Sequence, residues 1–161
     1  MNKETYQFTY EVYNSINDLP EGDATLLKQA RQATQLAYAP YSHFHVGAVA
    51  KMINGEIVRG SNQENASFPA GLCAERVLMS TASTLFPNVP IDTIAISYSS
   101  SDVASDHPIA PCGICRQSLQ ELEQRSRQPI RLILGGLEGK IIVIPQASSL
   151  LPLAFTSEEL G

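Results

Sequence analysis

No run of apolar residues in this 161-residue chain approaches the roughly 18 that a transmembrane helix needs, so no membrane partner is expected. The opening MNKETYQFTY has no apolar stretch of the signal-peptide kind. That predicts a cytoplasmic protein, in a compartment that keeps thiols reduced. Basic residues are scarce: 11 Lys and Arg stand against 16 Asp and Glu, for a formal charge of −5. This disfavours a polyanionic partner such as nucleic acid. Cysteine is scarcer still. Three is an odd number and argues against a closed disulfide framework.

What is present is the composition of a folded chain, 43% hydrophobic and 17% charged. The length suits one domain over residues 1–161, with 1–20 as an N-terminal extension. Tyr6, Phe8, Tyr10 and Val12 alternate with polar residues, a strand pattern. Leu26, Leu27, Ala30, Ala33 and Ala37 make an apolar stripe, with Thr34 at its edge, predicting a helix from an Asp23 N-cap to about Tyr38, stopped by Pro40. Residues 46–53 and 56–60 read as strands joined by Asn54-Gly55, the signature of a type I′ hairpin turn with positive φ at both positions. A helix is expected over 73–85, a strand over 91–98 and a polar loop over 99–110. A helix follows with Pro111 at its first position, running to about Gln124. Strands at 130–134 and 140–144 and a helical turn at 147–151 complete the order. The pattern predicts a layered α/β domain on a mixed sheet.

All three cysteines lie in two short motifs, GLCAER at 71–76 and PCGICRQ at 111–117. Cys112 and Cys115 are three apart at a helix start, so both sulfurs lie near one face of the first turn. Cys73 also falls at a helix start. Helix N-termini carry free N–H groups and partial positive charge, which favour thiolate. Two such starts converging would give a three-thiolate zinc site. The fourth ligand is open at this point: His43, His45 or His107 could supply it, or water could, as in catalytic sites. Glu75 lies two residues after Cys73, so both address one point only if that point lies off the helix end. An acid placed there can carry protons. The plainer alternative is a first-turn Glu favoured by the helix dipole.

Cys-x-Glu followed by Pro-Cys-x-x-Cys resembles the zinc-dependent nucleoside and nucleobase deaminases, a signature whose His-x-Glu form is well documented. The nearer resemblance is to cytidine deaminases of the three-cysteine, homotetrameric type. It runs from about Tyr41 to Phe155 through YSHFHVGA at 41–48, GSNQENASFPAGLCAER at 60–76, PCGICRQ, and LLPLAF at 150–155. Four markers in order are far more specific than a lone Cys-x-x-Cys. The resemblance implies a three-layer α-β-α fold around a roughly five-stranded mixed sheet. It implies one Zn²⁺ per chain on Cys73, Cys112 and Cys115, with Glu75 as proton carrier in the hydrolytic deamination of cytidine and deoxycytidine, a step of pyrimidine salvage. By the same resemblance Asn62 and Glu64 hold the sugar 3′-hydroxyl. Backbone groups of Ala66 and Ala74 meet sugar and base, and Phe44 lines the base pocket. Phe155 enters from a neighbouring subunit of a homotetramer, and Arg76 hydrogen-bonds the ligand sulfurs, with Arg116 a second candidate. Residues depart from the family pattern at His45, at Phe68 where Tyr is common, in the long 99–107 loop and in the N-terminal strand.

Glu64 beside the sugar, with no Lys or Arg between Gly60 and Cys73, favours free nucleosides over nucleotides. The alternatives are a zinc deaminase acting on a related aminopyrimidine, aminopurine or nucleoside antibiotic, a nucleic-acid editor, a redox dithiol, or a zinc-stabilised binding module. Net charge weighs against the editor, and Glu75 and the missing fourth ligand weigh against the module.

Overall fold

The structure, a computed structural model, describes residues 1–160. Nine elements follow in the order β1 (Glu11–Tyr13), α1 (Glu21–Ala33), β2 (Phe44–Met52), β3 (Ile57–Ser61), α2 (Ala74–Leu85), β4 (Ile91–Ser100), α3 (Gly113–Ser126), β5 (Arg131–Gly135) and β6 (Ile141–Ile144), with short 3₁₀ turns between some of them. The strands make one mixed sheet ordered β1-β6-β5-β4-β2-β3. Only the β4–β5 pairing is parallel, and α3 makes that crossover. The sheet has six strands, one more than expected, because β1 pairs with the free edge of β6.

The alternating pattern of each central strand sorts its side chains to two faces. Val49, Ala95, Ile133 and Val143 pack with Leu26, Leu27, Ala30 and Ala33 of α1. Ala48, Ala50, Ile94, Ile96, Leu132 and Leu134 pack with Leu78 and Ala82 of α2 and Leu119 of α3. That is the three-layer arrangement, with α1 on one face and α2 and α3 on the other.

Four local expectations are corrected. α1 begins at Glu21 behind Pro20, not at an Asp23 cap, and ends at Ala33 with a 3₁₀ turn at Thr34–Leu36. Asp23 instead pairs bidentately with Arg131 of β5 at 2.6 and 2.7 Å. The β2–β3 turn is not type I′: Gly55 alone has positive φ, +89°, and its N–H donates to the Met52 carbonyl. That is the three-residue loop in which a left-handed glycine closes the turn. α3 starts at Gly113 with Cys112 as N-cap, so Pro111 lies before the cap, not at the first helical position. The N-terminal strand is confined to Glu11–Tyr13, and Tyr6, Phe8 and Tyr10 are exposed on an extended arm.

One close approach sets the site. A Cβ at Gly60 of β3 would meet the backbone nitrogen of Leu78 at 2.6 Å, so only glycine lets α2 lie this near the sheet. The N-terminus of α2 is thereby fixed against β3, and Asn62 and Glu64 lie on the chain that leaves that strand.

Candidate metal and active site

Cys73 is the N-cap of α2 and Cys112 the N-cap of α3, with Cys115 in the first turn of α3. The two helix starts converge. The three sulfur atoms lie within 4.8 Å of one another, and Cys73 Sγ is 3.7 Å from Cys112 Sγ. A zinc ion at about 2.3 Å from each of two tetrahedral sulfurs separates them by about 3.8 Å. The donor set fits zinc in charge as well. The hydrogen bond from Cys115, helped by Cys112 and by the charge of Arg76, draws the Cys73 thiol down to about 6. The neighbouring Cys73 sulfur and burial push the Cys115 thiol the other way. Three thiolates this close repel unless a cation sits among them, and a thiol that coordinates zinc is deprotonated outright.

No histidine joins the cluster among the described residues. His43 Nδ1 lies 3.6 Å from Asp102, His45 Nδ1 faces the His43 carbonyl, and His107 lies between Asp106 and Tyr98. Three protein sulfurs with no fourth side chain is the donor set of a catalytic zinc rather than a structural one.

Glu75 is 6% exposed on the first turn of α2. Burial raises its carboxyl above the ordinary range, and the Cys73 charge adds to that, against an opposing contribution from hydrogen bonding. A cavity of about 420 Å³ opens over it, walled by Phe44 and Val46 of β2, Asn62 and Glu64 after β3, Cys73 and Ala74, and Ile109, Ala110 and Cys112 before α3. The lining includes Glu64 and Glu75 and no Lys or Arg.

Asn62 and Glu64 are held by local structure. Asn62 Oδ1 accepts from the Val46 N–H at 2.7 Å, and its Nδ2 donates to the Phe44 carbonyl at 2.9 Å. Glu64 accepts from the Tyr41 N–H at 2.9 Å, from the Ser42 N–H at 3.3 Å and from the Ser42 hydroxyl. The hydroxyl, more than the two amides, holds the Glu64 carboxyl below the usual range. A carboxylate offers about four lone-pair sites, so roughly one is left for a ligand.

Ala66 is exposed on the loop between β3 and α2 and does not line the cavity, whereas Ala74 is buried and does. Phe155 lies away from the cavity of its own chain, 59% exposed, with its carbonyl accepting from Gln117 Nε2. Arg76 makes no side-chain hydrogen bond to a sulfur; it lines a groove between α2 and α3 and acts on Cys73 by charge alone. Arg116 makes the firmer connection. Its Nε donates to the Pro111 carbonyl at 2.9 Å and its Nη1 to the Leu150 carbonyl at 3.1 Å, tying the Cys112 loop to the C-terminal segment. Sequence reasoning missed Glu123, 6% exposed, which accepts from the N–H groups of Ile130, Ala147 and Ser148 and anchors that segment to α3. A lone Glu in a polar helix gives no signal of this.

Residues 20–128 match the family model described as the cytidine and deoxycytidylate deaminase zinc-binding region. The chain is 40% identical over 136 residues to a cytidine deaminase of Halalkalibacterium halodurans, covering 84% of this chain and 96% of that one. It is 35% identical over 138 residues to one from Sporosarcina psychrophila, covering 84% and 93%. The crystal structure of the Burkholderia pseudomallei cytidine deaminase superposes with a TM-score of 0.71 at 34% identity, over 85% of this chain and 100% of that one. With a three-sulfur cluster and a buried glutamate at the helix starts where the family model matches, the chain belongs to the cytidine and deoxycytidylate deaminase family.

Proposed function

We propose that the chain is a zinc-dependent hydrolase that converts cytidine and 2′-deoxycytidine to the corresponding uridines with release of ammonia. The observation that carries this reading is the placement of buried Glu75 in one cavity with Cys73 and Cys112, whose sulfurs converge with that of Cys115. Cys73, Cys112 and Cys115 would hold the metal, and zinc when bound supplies the Lewis acidity that makes water nucleophilic near neutral pH. Glu75 takes a proton from the attacking water and passes it to ring N3. With the water oxygen now bonded to C4, Glu75 takes the second proton from that hydroxyl and delivers it to the amine as the C4–N4 bond breaks and the C4 carbonyl forms. One carboxyl serves as base and acid because the transfers are sequential. Its burial excludes bulk water from the proton path.

The substrate contacts belong to the same proposal. Phe44 walls the base and Glu64 receives the 3′-hydroxyl. Asn62, with both amide ends on β2, keeps that wall and the sugar side in register and has one amide hydrogen left to offer. The Ala74 backbone completes the pocket, whereas Ala66 lies outside its lining. A lining with two carboxyls and no cation suits a neutral nucleoside and opposes a phosphate. Phe155 completes a neighbour's pocket in a homotetramer. The protein serves pyrimidine salvage in the cytoplasm; no helix is long and apolar enough to cross a membrane.

An ultraviolet assay of the purified protein on cytidine tests the reading. Turnover that disappears with a chelator and returns with zinc is the expected result. A redox dithiol or a binding module would give no turnover in either condition.

A further inference from the structure

We propose that Tyr98, which does not line the cavity, is the positioning residue that fixes the Phe44 ring as a wall of the base pocket. The inference rests on the assignment of Phe44 to that pocket. Phe44 opens β2 immediately after His43, whose φ is +52°, so its ring stands where the strand has just formed. The β2–β4 register pairs Val46 with Tyr98 and Phe44 with Ser100, which makes Phe44 and Tyr98 diagonal neighbours on one face. Their rings stack with centroids 5.0 Å apart and an interplanar angle of 16°.

Tyr98 is fully buried and is itself immobilised. A buried tyrosine hydroxyl needs a partner. This one donates to the Ala104 carbonyl at 3.0 Å and lies 3.2 Å from His107 Nδ1, which in turn is 2.9 Å from Asp106. The loop that supplies these partners runs on into Ile109, Ala110 and Cys112, which also line the cavity. It is pinned from behind by the β5–β6 turn, where the Glu138 N–H donates to the Ser105 carbonyl. A side chain at Gly136 or Gly139 would collide with the Ser105 or Asp106 carbonyl. The Tyr98 ring therefore backs the Phe44 wall, and its hydroxyl bonds keep the ring in that place. Mere filling of the core would need neither the stack nor the latch.

The test is a double-mutant cycle on the zinc-loaded protein with Tyr98→Leu, Phe44→Leu and the pair, and with Tyr98→Phe as the conservative variant. Tyr98→Leu should raise the KM for cytidine about three- to tenfold, the range an aromatic pair contributes. Its kcat should stay within about twofold and its zinc content at the wild-type level. Tyr98→Phe should restore KM to within about twofold, because the stack remains. In the Phe44→Leu background, Tyr98→Leu should add nothing. Additive effects in the cycle, or an unchanged KM in folded Tyr98→Leu, would overturn the proposal. Should the leucine variant not fold, Tyr98→Met fills most of the volume without a ring and carries the same expectations. A readout independent of turnover comes from Phe44→Trp, the only tryptophan in the chain and excitable apart from its six tyrosines. Its anisotropy should drop when Tyr98 becomes Leu or Met, and an unchanged anisotropy counts against positioning even if cytidine proves not to be the substrate.

Discussion

The three-sulfur corner and the outer rim of this cavity, where the proposed sugar contacts lie, are built on opposite terms. At the corner, two helix starts are fixed against a sheet, Gly60 brings α2 close, and Cys115 and Glu75 are 0% and 6% exposed. At the rim, Phe68 is 76% exposed, Tyr41 meets it edge-on, and Glu64 is held by a turn through hydrogen bonds alone. The difference separates two tasks. Proton transfer and metal binding need groups held to fractions of an ångström in a dry setting. Sugar recognition tolerates solvent, and exposed loops leave room for a neighbour to complete the site.

The largest expected effects sharpen that contrast at the corner. Cys73→Ala, Cys112→Ala and Cys115→Ala should each lower bound zinc well below one per chain and lower the thermal midpoint, because metal-binding energy is also folding energy. Activity should fall by more than about 10⁴-fold, since both the metal and the geometry around Glu75 are lost. Full zinc occupancy by metal analysis in all three variants would break the picture. Glu75→Gln should keep zinc and fold and lose at least about 10²- to 10⁴-fold in kcat, since an amide cannot carry a proton. Near-normal turnover there would remove Glu75 as the carrier.

The corner was legible in the sequence because its geometry is local. Cys73 with Glu75, and Cys112 with Cys115, are fixed by spacing at helix starts, and only the convergence of the two starts needed the fold. The start of α3 lies two residues later than the sequence suggests because Cys112 caps it. The rim was less legible. The partners of Asn62 lie 16 and 18 residues away, so its double clamp on β2 could not be read from an Asn in a turn. Tyr98 looked like one more strand residue until the register placed it behind Phe44. The N-terminal aromatics alternated like a strand, but β6 offers pairing only to Glu11–Tyr13.

At the rim the effects should be smaller and fall on KM. Glu64→Gln should raise the KM for cytidine by about tenfold or more, the worth of a hydrogen bond to a charged group. Zinc content should not change. Because Glu64 also holds the Tyr41–Ser42 turn, Ser42→Ala separates the two roles: it removes one donor from Glu64 and leaves the carboxylate for the sugar. Its KM should move by only a fewfold. Cytidine 5′-monophosphate should be a poor substrate of the wild type, and efficient turnover of it would contradict the reading of the cation-free lining.

A modest effect is also expected outside the cavity lining, at Phe155. Its ring is exposed on its own chain, and Leu153 beside it is fully exposed at a φ of +55°. Exposed apolar residues in sequence are what a soluble monomer avoids and an assembly covers. The C-terminal segment that presents them is itself tied down by Arg116 to Leu150, by Gln117 to Phe155 and by Glu123 to Ala147 and Ser148. A firmly held base under an exposed apolar tip is suited to reaching a neighbour. The proposed homotetramer of four 17.5 kDa chains would be a closed particle of about 70 kDa. Light scattering should find that mass, and truncation before Leu150 should lower both mass and activity. Phe155→Ala should keep zinc and assembly and raise KM by about three- to tenfold, as for a single aromatic contact. A fully active monomer at assay concentration would place the whole site within one chain, and the rim would then have to be complete without Phe155.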